Sequence, residues 1–128
     1  MLIGDKDGTV IDTETRLMWQ QATAPGAYTW EHALSYCKSL NFAGYSDWRL
    51  PTLKELFSIV DYSRLNPAIN TNYFPDTVSD SYWSSTTYAD GTSGAWGMSF
   101  GYGDDDCYYK SNSYYVRAVR GQIKEELC

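Results

Sequence analysis

Helical periodicity is confined to residues 30–62 and is absent on either side, which restricts the fold to helices kept apart from strands. The second helical stretch has the clearer start. Pro51 precedes Thr52, and Thr52-Leu53-Lys54-Glu55 is a capping-box pattern, in which the threonine hydroxyl and the glutamate carboxylate each accept from the other residue's backbone N–H. Leu53, Leu56, Phe57 and Val60 form one apolar face, and Pro67 lies shortly beyond, so a helix is predicted over 52–61. The first stretch opens on Thr29 as N-cap, with Glu31 in the first turn where the helix dipole favours an acid. Ala33, Leu34, Cys37 and Leu40 recur at helical spacing, which predicts a helix over 30–40 that ends at residues 41–44. Ala33, Leu34, Leu40, Leu53, Leu56, Phe57 and Val60 are the predicted buried face.

Strand signals flank this helical block. Residues 7–20 read as a hairpin, with β-prone Thr9-Val10-Ile11 and Leu17-Met18-Trp19 around the polar turn Asp12-Thr13-Glu14-Thr15. Residues 66–81 have the Asn, Pro, Asp, Ser and Thr content of a long loop. Strands are predicted at 82–85, 95–100 and 114–119, joined by polar, glycine-bearing connections at 89–94 and 101–113. Runs of strands separate from a run of helices define the α+β class, here two helices on an antiparallel sheet, and the whole of 1–128 reads as one domain.

Charge narrows the partners. The net charge is −6 with no basic run, which argues against nucleic acid and against an acidic membrane surface. No apolar stretch is long enough for a helix to span or insert into a bilayer. Met1-Leu2-Ile3-Gly4 is too short for a signal peptide, so export would need a signal outside this sequence. Cys37, Cys107 and Cys128 are an odd number and match no zinc spacing; Cys37 lies on the apolar side of the first helix and reads as a buried thiol.

Catalytic signals are weak. His32 is the single histidine, and its offset from Cys37 puts the two on different helix faces, so neither a Cys–His pair nor a serine triad assembles around it. Asp104-Asp105-Asp106 is the densest acidic group, and Asp5, Asp7 and Asp12 have some calcium-loop character, but neither set carries the spacing of an EF-hand. Neither metal nor cofactor is therefore expected. The glycines of 94–103 form no phosphate-binding motif. Of Trp19, Trp30, Trp48, Trp83 and Trp96, most are expected in the core, with Trp96 beside polar loops as the exception.

One segment is specialised. Residues 101–115 carry five of the 12 tyrosines in a background of Gly, Asp, Ser and Asn, and 88–94 share that composition. Tyrosine gives a large contact area with few rotatable bonds, while Ser, Gly and Asn adapt, as in recognition surfaces. The candidate ligand-binding residues are Tyr88, Asp90, Trp96, Tyr102, Asp104, Asp105, Asp106, Tyr108, Tyr109, Ser111, Asn112 and Ser113; residues 88–92 and 101–113 are read as one continuous surface, with Tyr88, Tyr102, Tyr108 and Tyr109 as anchors and Asp104 to Asp106 setting its polarity.

Several stretches together resemble one family. They are Asp7-Gly8-Thr9-Val10 with Leu17-Met18-Trp19, the segment from Trp30 to Cys37, Gly44-Tyr45-Ser46-Asp47-Trp48-Arg49-Leu50-Pro51-Thr52, Tyr82-Trp83-Ser84-Ser85-Thr86, and Tyr114-Tyr115-Val116-Arg117-Ala118-Val119-Arg120-Gly121. The combination is similar to the family named for the C-terminal domain of the Legionella collagen-like adhesin. The resemblance implies a C-type-lectin-like fold, a bacterial surface or secreted setting, and binding of a protein or glycan on another cell or host surface rather than catalysis. The namesake is a trimer that binds sulfated glycans, which implies a homo-oligomer here. This chain has no basic cluster for sulfate, nor the Glu-Pro-Asn or Gln-Pro-Asp motif of animal C-type lectins. Such folds also serve as variable proteins of diversity-generating retroelements, which rewrite Asn codons at adenines. Each residue of 101–109 is reachable that way, and Lys110 is not. The expectation is a non-enzymatic binding module. A small hydrolase of extracellular glycans, using carboxylates that nothing singles out, is the alternative.

Overall fold

The computed structural model describes residues 1–88, 91 and 93–121. Two helices and two antiparallel sheets make up the fold, so the class is α+β, but the single predicted sheet is two. The first sheet joins β1 (Leu2–Gly4), β2 (Thr9–Asp12), β3 (Leu17–Gln20) and β7 (Val119–Arg120) in that order. Asp12 turns the predicted hairpin, its carboxylate accepting from the Glu14 amide at 3.0 Å. Asp7 likewise accepts from the amide and hydroxyl of Thr9, so these acids serve turns.

Helix α1 (Trp30–Ser39) is capped by Thr29, with Leu40 as C-cap. Helix α2 (Leu53–Phe57) carries the predicted capping box in full: Glu55 N–H donates to Thr52 Oγ1, and Thr52 N–H donates to Glu55 Oε1. It ends at Phe57 rather than near Tyr62. Ile59 and Val60 continue with the tighter bonds to the carbonyls of Leu56 and Phe57, as in a last 3₁₀-type turn. Phe57, the last residue of α2, is 37% exposed, contrary to the predicted face. Ala33 and Leu56 are buried, while Leu34, Leu40, Leu53 and Val60 pack partly buried at the core margins.

The second sheet joins β4 (Ser81–Thr87), β5 (Gly94–Ser99) and β6 (Asp104–Tyr109). Both its faces are covered. Tyr82 and Met98 join Val10, Leu17, Trp19, Leu56 and Phe74 in one cluster. Trp83 and Ala95, one residue out of phase, join Ala33, Cys37, Trp48 and Val116 in another. Burial of the Cys37 thiol pushes its pKa up to about 12, so it is an inert core group.

Three expectations change here. Residues 101–113 are not all loop, because β6 pairs with β5 from Ser99↔Asp104 to Gly94↔Tyr109. Residues 114–119 are not a continuous strand; Tyr114 and Tyr115 make isolated bridges to Tyr28 and Tyr82, and only β7 joins a sheet. The loop at 66–81 also contributes core, through Ala68, Ile69 and Phe74.

The two arginines expected to have structural partners do. Arg49 forms a two-pronged pair with Glu55, both bonds at 2.7 Å, and donates to the Gly121 carbonyl. Arg117 is 1% exposed and donates to Thr23, Thr77 and Asp76, with Phe74 and Tyr82 rings against its guanidinium. The Asp47-Trp48-Arg49-Leu50-Pro51 motif is thus a brace. Asp47 holds Arg120, Trp48 Nε1 donates to the Phe42 carbonyl, and Arg49 exchanges backbone bonds with Val119.

Candidate ligand-binding site

Among the described residues, β6 is an edge strand, bonded to β5 on one side only. Exposed edges tolerate charge, and Asp104, Asp105 and Asp106 are all exposed there. Directly opposed residues of an antiparallel pair share a face. Trp96 opposes Cys107 and Gly94 opposes Tyr109 on one face, while Ala95 opposes Tyr108 on the other.

At the far end of β5 and β6 lies a hollow of about 670 Å³. Tyr88, Trp96, Asp106, Tyr108, Tyr109 and Asn112 line it, so six of the twelve candidate residues are brought together. Tyr88 meets Trp96 edge to face, with ring centroids 5.7 Å apart, and Tyr109 is 70% exposed. Gly91, Ser93, Gly94 and Cys107 complete the lining, and sequence reasoning did not select them. The signal was the pairing of β6 with β5, invisible while 101–113 read as a loop. Gly94 is bare for a reason: a Cβ there would stand 3.0 Å from Cys107 Sγ. Burial and the Asp106 carboxylate both push the Cys107 thiol up, away from thiolate character.

The other candidates lie elsewhere. Tyr102 is 61% exposed in the turn between β5 and β6, at the opposite end of the strand from Tyr109. Five residues of strand separate that turn from Tyr109, roughly 17 Å. Asp104 and Asp105 follow that turn, and the exposed Ser111 and Ser113 flank Asn112; none of these four lines the hollow. Asp90 lies outside the described residues. The predicted continuous surface is therefore an aromatic hollow at one end of β6 and a separate exposed tyrosine at the other.

Tyr108 has a second task. Its ring packs on Tyr114 at 4.4 Å and edge-on to Trp83 at 6.2 Å, and its hydroxyl shares a 2.6 Å hydrogen bond with Ser81 Oγ. The Tyr82-Trp83-Ser84-Ser85 motif supplies this support. Trp83 Nε1 donates to the Tyr28 carbonyl, and Ser84 Oγ donates to the Trp96 carbonyl at 2.6 Å, tying β4 to the hollow's tryptophan. His32 is exposed on α1. Among the described residues, no three His, Cys, Asp or Glu side chains converge to hold a metal ion.

This is an α+β domain of two antiparallel sheets with an aromatic hollow beside an acidic edge strand. Residues 8–120 match the family model described as the Lcl C-terminal domain, and the chain belongs to that family. Among curated proteins, none matches the chain.

Proposed function

We propose that the domain is a non-enzymatic binding module, displayed at a bacterial or phage surface or secreted, that holds a protein or glycan ligand in the hollow between Tyr88, Trp96 and Tyr109. The observation that carries this reading is the hollow itself. Its tryptophan is tied to β4 through the Ser84 hydroxyl, and Gly, Ser and Asn residues share the lining with the aromatic rings. Membership in a family named for the terminal domain of an adhesin supports it. Two helices with two antiparallel sheets are compatible with a C-type-lectin-like fold, and we read the domain so. We extend the reading to a homo-oligomer on the pattern of the namesake trimer.

Retroelement diversification belongs to the same proposal, over fewer positions than composition alone suggested. Tyr102, Asp104, Asp105, Asp106 and Tyr109 are exposed and can vary without touching the core. Gly103 has a φ of +81°, and a Cβ there would come within 2.8 Å of Val60, while Tyr108 packs on Trp83. Those two positions are structural.

The test is an array of neutral, acidic and basic glycans and peptides presented to the domain, followed by product analysis of every bound compound. Retention with no change in the ligand supports a binding module. Cleavage of a bound glycan would replace it with the hydrolase reading.

A further inference from the structure

The hollow is rich in aromatic rings. Among the described residues its lining includes one acidic residue, Asp106, and no lysine or arginine. Elsewhere in the chain, cations are already placed on rings. Lys110, the residue after Tyr109, puts its Nζ 3.9 Å from the centroid of Trp30; Arg120 stacks on Tyr45 at 3.7 Å, and Arg117 on Phe74. Tyr88, Trp96 and Tyr109 thus present ring surface that no internal cation covers among the described residues. The face of an aromatic ring is electron-rich and attracts a cation, most strongly at tryptophan. Asp105 is exposed on the same face of β6 as Cys107 and Tyr109, and Asp104 and Asp106, exposed on the other face, add to the negative potential of this edge.

Resting on the reading of the hollow as the ligand site, we propose that its occupant is a cationic side chain of a partner protein, a lysine ammonium seated against Trp96 and Tyr109 in the negative potential of the β6 edge, with Asp105 as the carboxylate on that face. The (CH₂)₄ stem suits the apolar walls and the ammonium suits the rim. An anionic ligand meets the same field with the wrong sign, so sulfated or otherwise acidic saccharides are excluded from this hollow.

The test uses the whole domain and the capped peptide Gly-Ser-Lys-Ser-Gly, against the same peptide with norleucine in place of lysine, which keeps the stem and removes the charge. Binding is read from the Trp96 indole N–H resonance at low ionic strength. The lysine peptide is expected to bind about tenfold more tightly than the norleucine peptide, with the advantage shrinking as salt is added. Tyr109→Ala and Asp105→Asn, both at exposed positions that leave the fold intact, each remove most of that advantage. Equal affinity for the two peptides, lost in Tyr109→Ala, ends the cation proposal and leaves the hollow as a ligand site. A lysine preference indifferent to both substitutions, with shifts away from Trp96, ends both readings. No shift at millimolar peptide, or tighter binding of a sulfated disaccharide at Trp96, also overturns the proposal.

Discussion

The hydroxyl of Tyr108 lies 2.6 Å from Oγ of Ser81, across the full width of the second sheet, while its neighbour Tyr109 is 70% exposed. Strand alternation gives these adjacent tyrosines opposite tasks, one bracing the sheet and one facing the hollow. Tyr108→Phe leaves the buried Ser81 hydroxyl without its partner and should cost about 1 kcal/mol. Tyr108→Ala should cost about 3 kcal/mol, because Trp83 and Tyr114 lose a packed ring. Tyr109→Ala should stay within about 0.5 kcal/mol of the parent. Urea unfolding of the three variants checks the ordering.

Tyr108 reaches Ser81 by passing over Gly97, which has no side chain to block it. A Cβ at Gly97 would stand 2.9 Å from the Tyr82 carbonyl oxygen and 3.0 Å from the Tyr108 ring. The carbonyl is backbone and cannot swing aside. Gly97→Ala should destabilise by about 2 kcal/mol through overpacking, and chemical denaturation of that single variant measures it.

Arg117 collects one edge of the long 66–81 segment onto the sheets. Its Nη2 donates to Thr23, Thr77 and Asp76, and Thr23 Oγ1 in turn lies 2.6 Å from the Tyr82 hydroxyl. Burial lowers the guanidinium pKa from its ordinary value, opposed by Tyr82 and Asp76. Arg117→Ala should cost about 3 kcal/mol or more, because it empties a buried site and takes a donor from two hydroxyls and a carboxylate. Arg117→Lys should recover only part, since an ammonium cannot span the forked set of acceptors. Asp76→Asn should cost about 1 kcal/mol, because Asp76 is half exposed and stays solvated. Melting temperatures should therefore rank Asp76→Asn above Arg117→Lys above Arg117→Ala.

Glu55 makes the fold sensitive to acid. Burial raises its pKa, but the bonds from Arg49 and Thr52 outweigh that and hold it below the ordinary value of 4.5. A carboxylate with a lowered folded pKa contributes stability that is present above the unfolded pKa and lost as pH falls through the folded one. Between neutral pH and about pH 5 the contribution should be constant, and below about 4.5 it should fade. Glu55→Gln lacks it at every pH. Asp47 and Asp61 titrate in the same sense in both proteins, so the informative quantity is the difference. The gap in melting temperature between parent and Glu55→Gln should be widest at neutral pH and narrow below pH 4.5; a constant gap counts against this role.

Local signals made part of this structure legible and tertiary ones hid the rest. Thr29 and Thr52 announce both helix starts, because capping is chemistry among neighbouring residues. The end of α2 was misjudged, since nothing in the sequence marks the switch to tighter bonds at Ile59 and Val60. β6 escaped notice because Asp104-Asp105-Asp106 has poor strand propensity; its pairing with β5 and its exposed edge override that preference. Tyr88, Trp96 and Tyr109 were selected by composition, yet composition could not separate them from Tyr102. That distinction needs the register of β5 on β6, which sends the turn and the hollow to opposite ends.

The central claim is that ligand is held in the hollow, and the most direct measurement is an affinity map on the strongest ligand from the glycan and peptide array. Tyr88→Ala, Trp96→Ala, Tyr109→Ala and Tyr102→Ala are titrated beside the parent, with melting temperature recorded for each. A tyrosine anchor in an interface is worth about 2 kcal/mol, or roughly thirtyfold in affinity. The account predicts that Tyr109→Ala loses about that much at unchanged melting temperature, that Tyr88→Ala and Trp96→Ala also weaken binding, and that Tyr102→Ala binds as the parent does. Full affinity in Tyr109→Ala together with loss in Tyr102→Ala would place the ligand at the far turn and contradict it.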